Sequence, residues 1–158
     1  SRTRKKRVEI PLADFQDFRN DPKACLWLSS HSDYSEEEVS PAVETSFSRI
    51  TLVNKGLTER LTIDTSVAFR NLRTGATADL GAAVIIELKQ DGRTHSEMRD
   101  ILLRHRVKPF RISKYCIGVS LTDSSAGTGR FKEKIRYIDK LNKNFYIKCY
   151  NPVLLRPL

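Results

Sequence analysis

The chain has 158 residues and carries 28 Lys and Arg against 19 Asp and Glu, a formal net charge of +9, with 39% hydrophobic and 30% charged residues. That length and composition suit one globular domain over 1–158 and exclude a disordered chain. The basic excess points to an anionic partner, and no run of about 18 apolar residues offers a membrane-spanning helix.

Residues 3–10, TRKKRVEI, alternate, with Val8 and Ile10 on one side and Lys5, Arg7 and Glu9 on the other. They read as a strand that Pro11 ends. A strand at the very start, with no leader and no apolar stretch behind the basic residues, leads us to expect a chain that begins inside a larger domain and carries no secretory signal. A short helix is expected over Leu12–Arg19, and residues 29–46 read as an exposed connection. FSRITLVN (47–54) and TERLTIDTSVAFR (58–70) read as strands of a hairpin, with Asn54 and Lys55-Gly56 as its turn.

Residues 71–81 read as a loop, and AVIIELKQ (83–90) as a strand closed by Asp91-Gly92. A helix follows, capped by Thr94 or Ser96, with Met98, Ile101, Leu102 and His105 at helical spacing. Residues 109–113 are extended, and Ser113 caps a helix through KYCIGVSL. Residues 123–129 are a loop and 130–142 a basic helix with a solvated face. NFYIKCYNP reads as a final strand. Cys25, Cys116 and Cys149 have neither metal-site nor redox spacing, so reduced thiols in a cytoplasmic protein are expected. His31 and His105 lack sequence-adjacent catalytic partners, and Trp27 reads as core.

Chemistry enters through strand parity. Arg49 and Thr51 oppose Ile50 and Leu52; Arg60, Thr62 and Asp64 oppose Leu61 and Ile63; Glu87 and Lys89 oppose Ile86 and Leu88. An ordinary sheet with a wet polar side has the same alternation. Here, however, the polar sides are rich in Arg and Lys, with isolated acids, Asp64 and Glu87, placed to hold a metal among them. A sheet closed into a barrel, with helices over its apolar face, would turn the charged face into a lumen. Unpaired bases there demand an anion, and the planar fork of Arg suits phosphate. No phosphate-binding Walker loop is present.

The segments KKRVEIPL, SRITLVNKGLTERLTIDT, AVIIELKQ and RISKYCIGVSL, in this order, resemble the VTC-type polyphosphate polymerase domain of the triphosphate tunnel metalloenzymes. The resemblance implies an α+β fold: an antiparallel β-barrel or tunnel with flanking helices, here the later portion of the domain without its first strands. It implies a polymerase that makes inorganic polyphosphate from ATP, with Mn or Mg as cofactor. By motif it makes Arg49, Arg60 and Lys114 catalytic phosphate contacts, places Ser113 beside them, and makes Glu87 the metal ligand. Parity adds Lys5, Arg7 and Lys89 as phosphate contacts, and Arg111 more weakly. Expected partners are ATP or inorganic polyphosphate and the upstream part of the same domain. The alternatives are a polyphosphate-binding module without turnover and, with no recognisable nucleic-acid motif in its favour, a nucleic-acid-binding protein.

Overall fold

The computed structural model describes residues 6–11, 17–90, 95–127 and 129–150, the last six as backbone only. They divide into two compact units, Ser1–Ala42 and Val43–Leu158.

In the first unit, residues 6–10 form no strand, against the expectation for 3–10. Two strands or more are needed to satisfy a ladder, and alternation supplies only one. The expected helix at Leu12–Arg19 falls partly outside the described residues; Phe18–Asn20 is a 3-10 turn capped by Asp17. A helix not expected from the sequence, α1, runs Pro22–His31. Its start signal was legible: Asp21 accepts from the Lys23 amide at 2.9 Å, and Pro22 sits in the first turn, where its absent N–H costs nothing. Trp27 is only partly buried and stacks on His31 at 4.9 Å.

The second unit is a four-stranded antiparallel sheet with helices. Its strands are β1 (Val43–Val53), β2 (Glu59–Asn71), β3 (Thr77–Asp79) and β4 (Ile85–Gln90). β2 is central: β1 lies along one side, and β3 and β4 share the other. The described strands form an open α+β sheet and not a closed barrel. In the β1–β2 turn, the Asn54 side-chain oxygen accepts from the amides of Thr58 and Glu59, both at 2.9 Å, and Leu57 takes the left-handed φ of 56° that closes it.

One irregularity organises the sheet. Ser46 opposes Ala68, but Ser48 opposes Thr65, so Phe47 faces two residues of β2, Ser66 and Val67. This is a β-bulge, with Ser66 at a φ of 52°. The extra residue reverses the parity of β2. Arg60, Thr62 and Asp64 occupy one face before the bulge, and Val67 and Phe69 occupy that same face after it.

The helices are α2 (Glu97–Arg104), α3 (Lys114–Thr122) and α4 (Lys132–Tyr150). Ser96, one of the two expected candidates, caps α2, and Ser113 caps α3. α4 continues through Asn144–Tyr150, so the expected final strand is helix as far as Tyr150, and its last two residues lie outside the described residues. Aromatic and β-branched residues there raised strand propensity, which an established helix overrides. Val67, Phe69, Leu80, Ile117 and Ile138 form the buried core, with Val43, Ile112, Phe131 and Ile135 around it. α3 lies so close to the sheet that a Cβ on Gly118 would meet the Phe69 ring at 2.6 Å. At the β3–β4 turn, Gly81 has φ of 58° and Asn142 of α4 bridges the loop, accepting from the Ala82 amide and donating to the Leu80 carbonyl, both at 3.1 Å.

The apolar face was expected to lie beneath the helices. Instead α3 covers the face that bears Asp64, and on the opposite face Ile50 and Leu52 are 57% and 47% exposed. The bulge is the reason, because it delivers Val67 and Phe69 to the charged side. Among the described residues, no helix is long and apolar enough to cross a membrane.

Close packing makes a specific prediction. Gly118→Ala should lower stability by about 1–3 kcal/mol through overpacking against Phe69. Gly127→Ala, with nothing within 4 Å of its added Cβ, should change it by less than about 0.5 kcal/mol. Urea midpoints of the two variants read the difference; equal midpoints would contradict the contact.

Candidate anion-binding face

Directly opposed residues of an antiparallel pair project to the same face. The register therefore assembles three rows across β1, β2 and β4: Arg49, Asp64 and Ile85; Thr51, Thr62 and Glu87; Val53, Arg60 and Lys89. Arg49, Arg60, Glu87 and Lys89, singled out from the sequence, thus share one face. Lys114 joins them from the first turn of α3.

Asp64 is the centre of this arrangement. Its side chain is 1% exposed. Arg49 grips it bidentately, Nε to Oδ1 at 2.6 Å and Nη2 to Oδ2 at 2.8 Å. Lys114 Nζ lies 2.5 Å from Oδ2. Both carboxylate oxygens accept from cations, so Asp64 is their counter-ion, where the sequence suggested an isolated acid. A buried carboxylate without partners would cost several kcal/mol, and two charged donors offset that. Lys114 also gains from the pair, since the positive end of the α3 macrodipole disfavours an unpaired cation in the first turn. Both cations rest on Phe47: Arg49 Cζ is 4.7 Å and Lys114 Nζ 5.0 Å from the ring centroid.

The hydrogen bonds from Arg49, with those of Lys114 behind them, pull the Asp64 carboxyl down to about 2 despite its burial. Glu87 is half-exposed and pairs with Lys89 at 2.9 Å. That bond holds its carboxyl below the usual range, helped by the fields of Lys114 and Arg49, so Glu87 stands close enough to sense both. Arg60 lies opposite Lys89, like charge against like. Lys89 turns to Glu87, and Arg60 has no carboxylate partner among the described residues. Thr62, between Arg60 and Asp64, is 7% exposed, and its Oγ1 has no hydrogen-bond partner among the described residues.

The remaining expected residues fall elsewhere. The Ser113 hydroxyl accepts from the Cys116 amide at 3.4 Å and is committed to capping α3. Arg111 is exposed on the extended segment before that cap. Arg7 is exposed in the first unit and lies on no strand, and Lys5 lies outside the described residues. His105 closes α2 as its C-cap. Among the described residues no group of three or more His, Cys, Asp and Glu is placed to hold a metal. Phe47 and Thr62 were not expected in the site. Thr62 was visible by parity, whereas Phe47 shows its role only once Lys114 is brought over it.

The depressed Asp64 carboxyl fixes a pH dependence. A group whose folded pKa is lowered adds stability above its unfolded pKa, near 3.8, and loses it as pH falls toward about 2. The shift corresponds to about 2 kcal/mol at neutral pH. Asp64→Asn should remove at least that much and flatten the stability profile between pH about 4 and 2. Urea unfolding at several pH values reads this, and an unchanged acid limb would contradict the buried pair.

A family model described as the VTC domain matches residues 3–122, which include all four strands and α3. Comparison with curated proteins and with solved structures returns no significant match. With most of its length matched, including the whole charged face, the chain belongs to the VTC domain family.

Proposed function

We propose that the chain binds inorganic polyphosphate or a nucleoside triphosphate on this sheet face together with a divalent cation. In this reading the face is one wall of a tunnel in which polyphosphate is polymerised from ATP. The observation that carries it is the Arg49–Asp64–Lys114 cluster: two cations share one buried carboxylate, leaving a net positive charge on a wall that Arg60 and Lys89 extend. Membership in the VTC family supports a polyphosphate-related ligand.

The residues fit the chemistry of phosphoryl transfer, which needs charge neutralisation and alignment more than covalent help. Arg49, Arg60 and Lys114 would neutralise phosphate oxygens, and the α3 N-terminus beside Lys114 favours an anion. Glu87 is half-exposed and ionised at neutral pH, a suitable single carboxylate for Mn or Mg, which keep waters and take phosphate oxygens for their other positions. Asp64 suits that role less well, since both its oxygens already accept from cations. When bound, the metal would supply charge neutralisation at the transferring phosphate. Lys89 would release Glu87 toward it.

The open sheet favours a second reading, binding without turnover. A single wall neutralises a polyphosphate from one side, whereas in-line transfer needs the attacking and leaving oxygens held together.

Tripolyphosphate at saturating concentration with Mn should raise the thermal midpoint by roughly 5 °C or more. Glu87→Ala should abolish only the Mn-dependent part of that rise. No shift with tripolyphosphate at moderate salt would sink the proposal. Incubation with ATP and Mn, followed by a gel stained for long polyphosphate, separates the two readings: a ladder supports polymerisation, and binding without a ladder supports the second.

A further inference from the structure

We infer that Asp64 is a positioning residue of the anion site: by holding Arg49 and Lys114 on one buried carboxylate, it sets where the phosphate of the ligand sits. This rests on the anion-binding reading above and adds the element that gives it geometry.

A guanidinium has five N–H donors in a fixed plane. Asp64 engages Nε and one N–H of Nη2, at 2.6 and 2.8 Å. The opposite edge, formed by Nη1 and the second N–H of Nη2, keeps a complete two-pronged fork, the geometry that suits a phosphate. Lys114 has three donors and spends one on Asp64 at 2.5 Å, leaving two. Neither side chain is otherwise fixed by a carboxylate: Arg49 is 39% and Lys114 21% exposed, and each has Asp64 as its only acidic partner within ion-pair distance among the described residues. A free Arg or Lys on a strand or helix surface samples many rotamers, and ordering it on binding weakens affinity. Asp64, itself fully buried on the central strand, holds both in place beforehand. The Phe47 ring sits against both cations and narrows their range further.

The sign of the effect separates this role from simple electrostatics. Asp64 is an anion beside an anion site. If only net charge mattered, Asp64→Asn would bind phosphate more tightly. If Asp64 positions the cations, the same variant binds more weakly, although a negative charge has been removed.

The test is calorimetric titration of tripolyphosphate into the full chain at fixed ionic strength. Three variants are compared with wild type: Asp64→Asn; Asp64→Glu, which keeps the charge but displaces it; and Ile138→Val, a core change on α4, an element that carries none of the site residues. Circular dichroism confirms the folded fraction of each. The expected result is a loss of about tenfold or more in affinity for Asp64→Asn and a smaller loss for Asp64→Glu, with Ile138→Val binding as wild type. Equal or tighter binding by folded Asp64→Asn overturns the inference. An equal loss in Ile138→Val also overturns it, since the effect would then follow stability. Should Asp64→Asn fail to fold, Asp64→Glu decides: wild-type affinity refutes positioning. If wild type itself fails to bind, the anion-site reading falls, and this inference with it.

Discussion

A carboxylate with almost no access to water, on the central strand of the sheet, must be paired with cations. Asp64 meets that requirement with Arg49 from the neighbouring strand and Lys114 from a helix more than forty positions away in sequence. The same three side chains tie β1, β2 and the start of α3 into one unit. The sign of the local field follows from the count: two cations against one acid leave the wall positive. What stabilises the fold at this point also makes the wall attractive to an anion.

The β-bulge is what allows one face of β2 to do two jobs. Before it, Arg60, Thr62 and Asp64 present polar groups; after it, Val67 and Phe69 present apolar ones to α3. Without the extra residue, strict alternation would place Asp64 and the core residues on opposite faces, and Lys114 could not reach Asp64 from a helix packed on Phe69. The close approach of α3, permitted by Gly118, brings its first turn down to the carboxylate. Ser113 starts the helix at the residue before Lys114, so the cap also sets the position of the cation.

Period-two alternation was enough to locate β1, β2 and β4 and to place Arg49, Arg60, Glu87 and Lys89 on the polar sides of their strands, because parity is a local property; the register joins those sides into one face. The caps at Ser96 and Ser113 were legible for the same reason: a hydroxyl just before an apolar-periodic run has a defined partner. The bulge was not legible. Ser66 carries no Gly or Asn signal for its left-handed backbone, and the parity switch appears only in the pairing with β1. The partnership of Asp64 with Lys114 was hidden with it, which is why Asp64 read as an isolated acid suited to a metal. Residues 6–10 and 145–150 show the converse error, in which a strand-like pattern has no pairing neighbour among the described residues or lies within a continuing helix.

The central claim is that the Arg49–Asp64–Lys114 wall, and not the basic helix α4, is where a phosphate chain binds. The most direct measurement is an NMR titration of the labelled chain with tripolyphosphate and Mg, following the Arg Nε and Lys Nζ groups with the backbone amides. The account predicts that the shifts concentrate at Arg49 Nε, Lys114 Nζ and the amides around Thr62 and Glu87. Shifts spread over Lys132, Lys134, Arg136 and Lys140 of α4, with Arg49 and Lys114 unmoved, would contradict it.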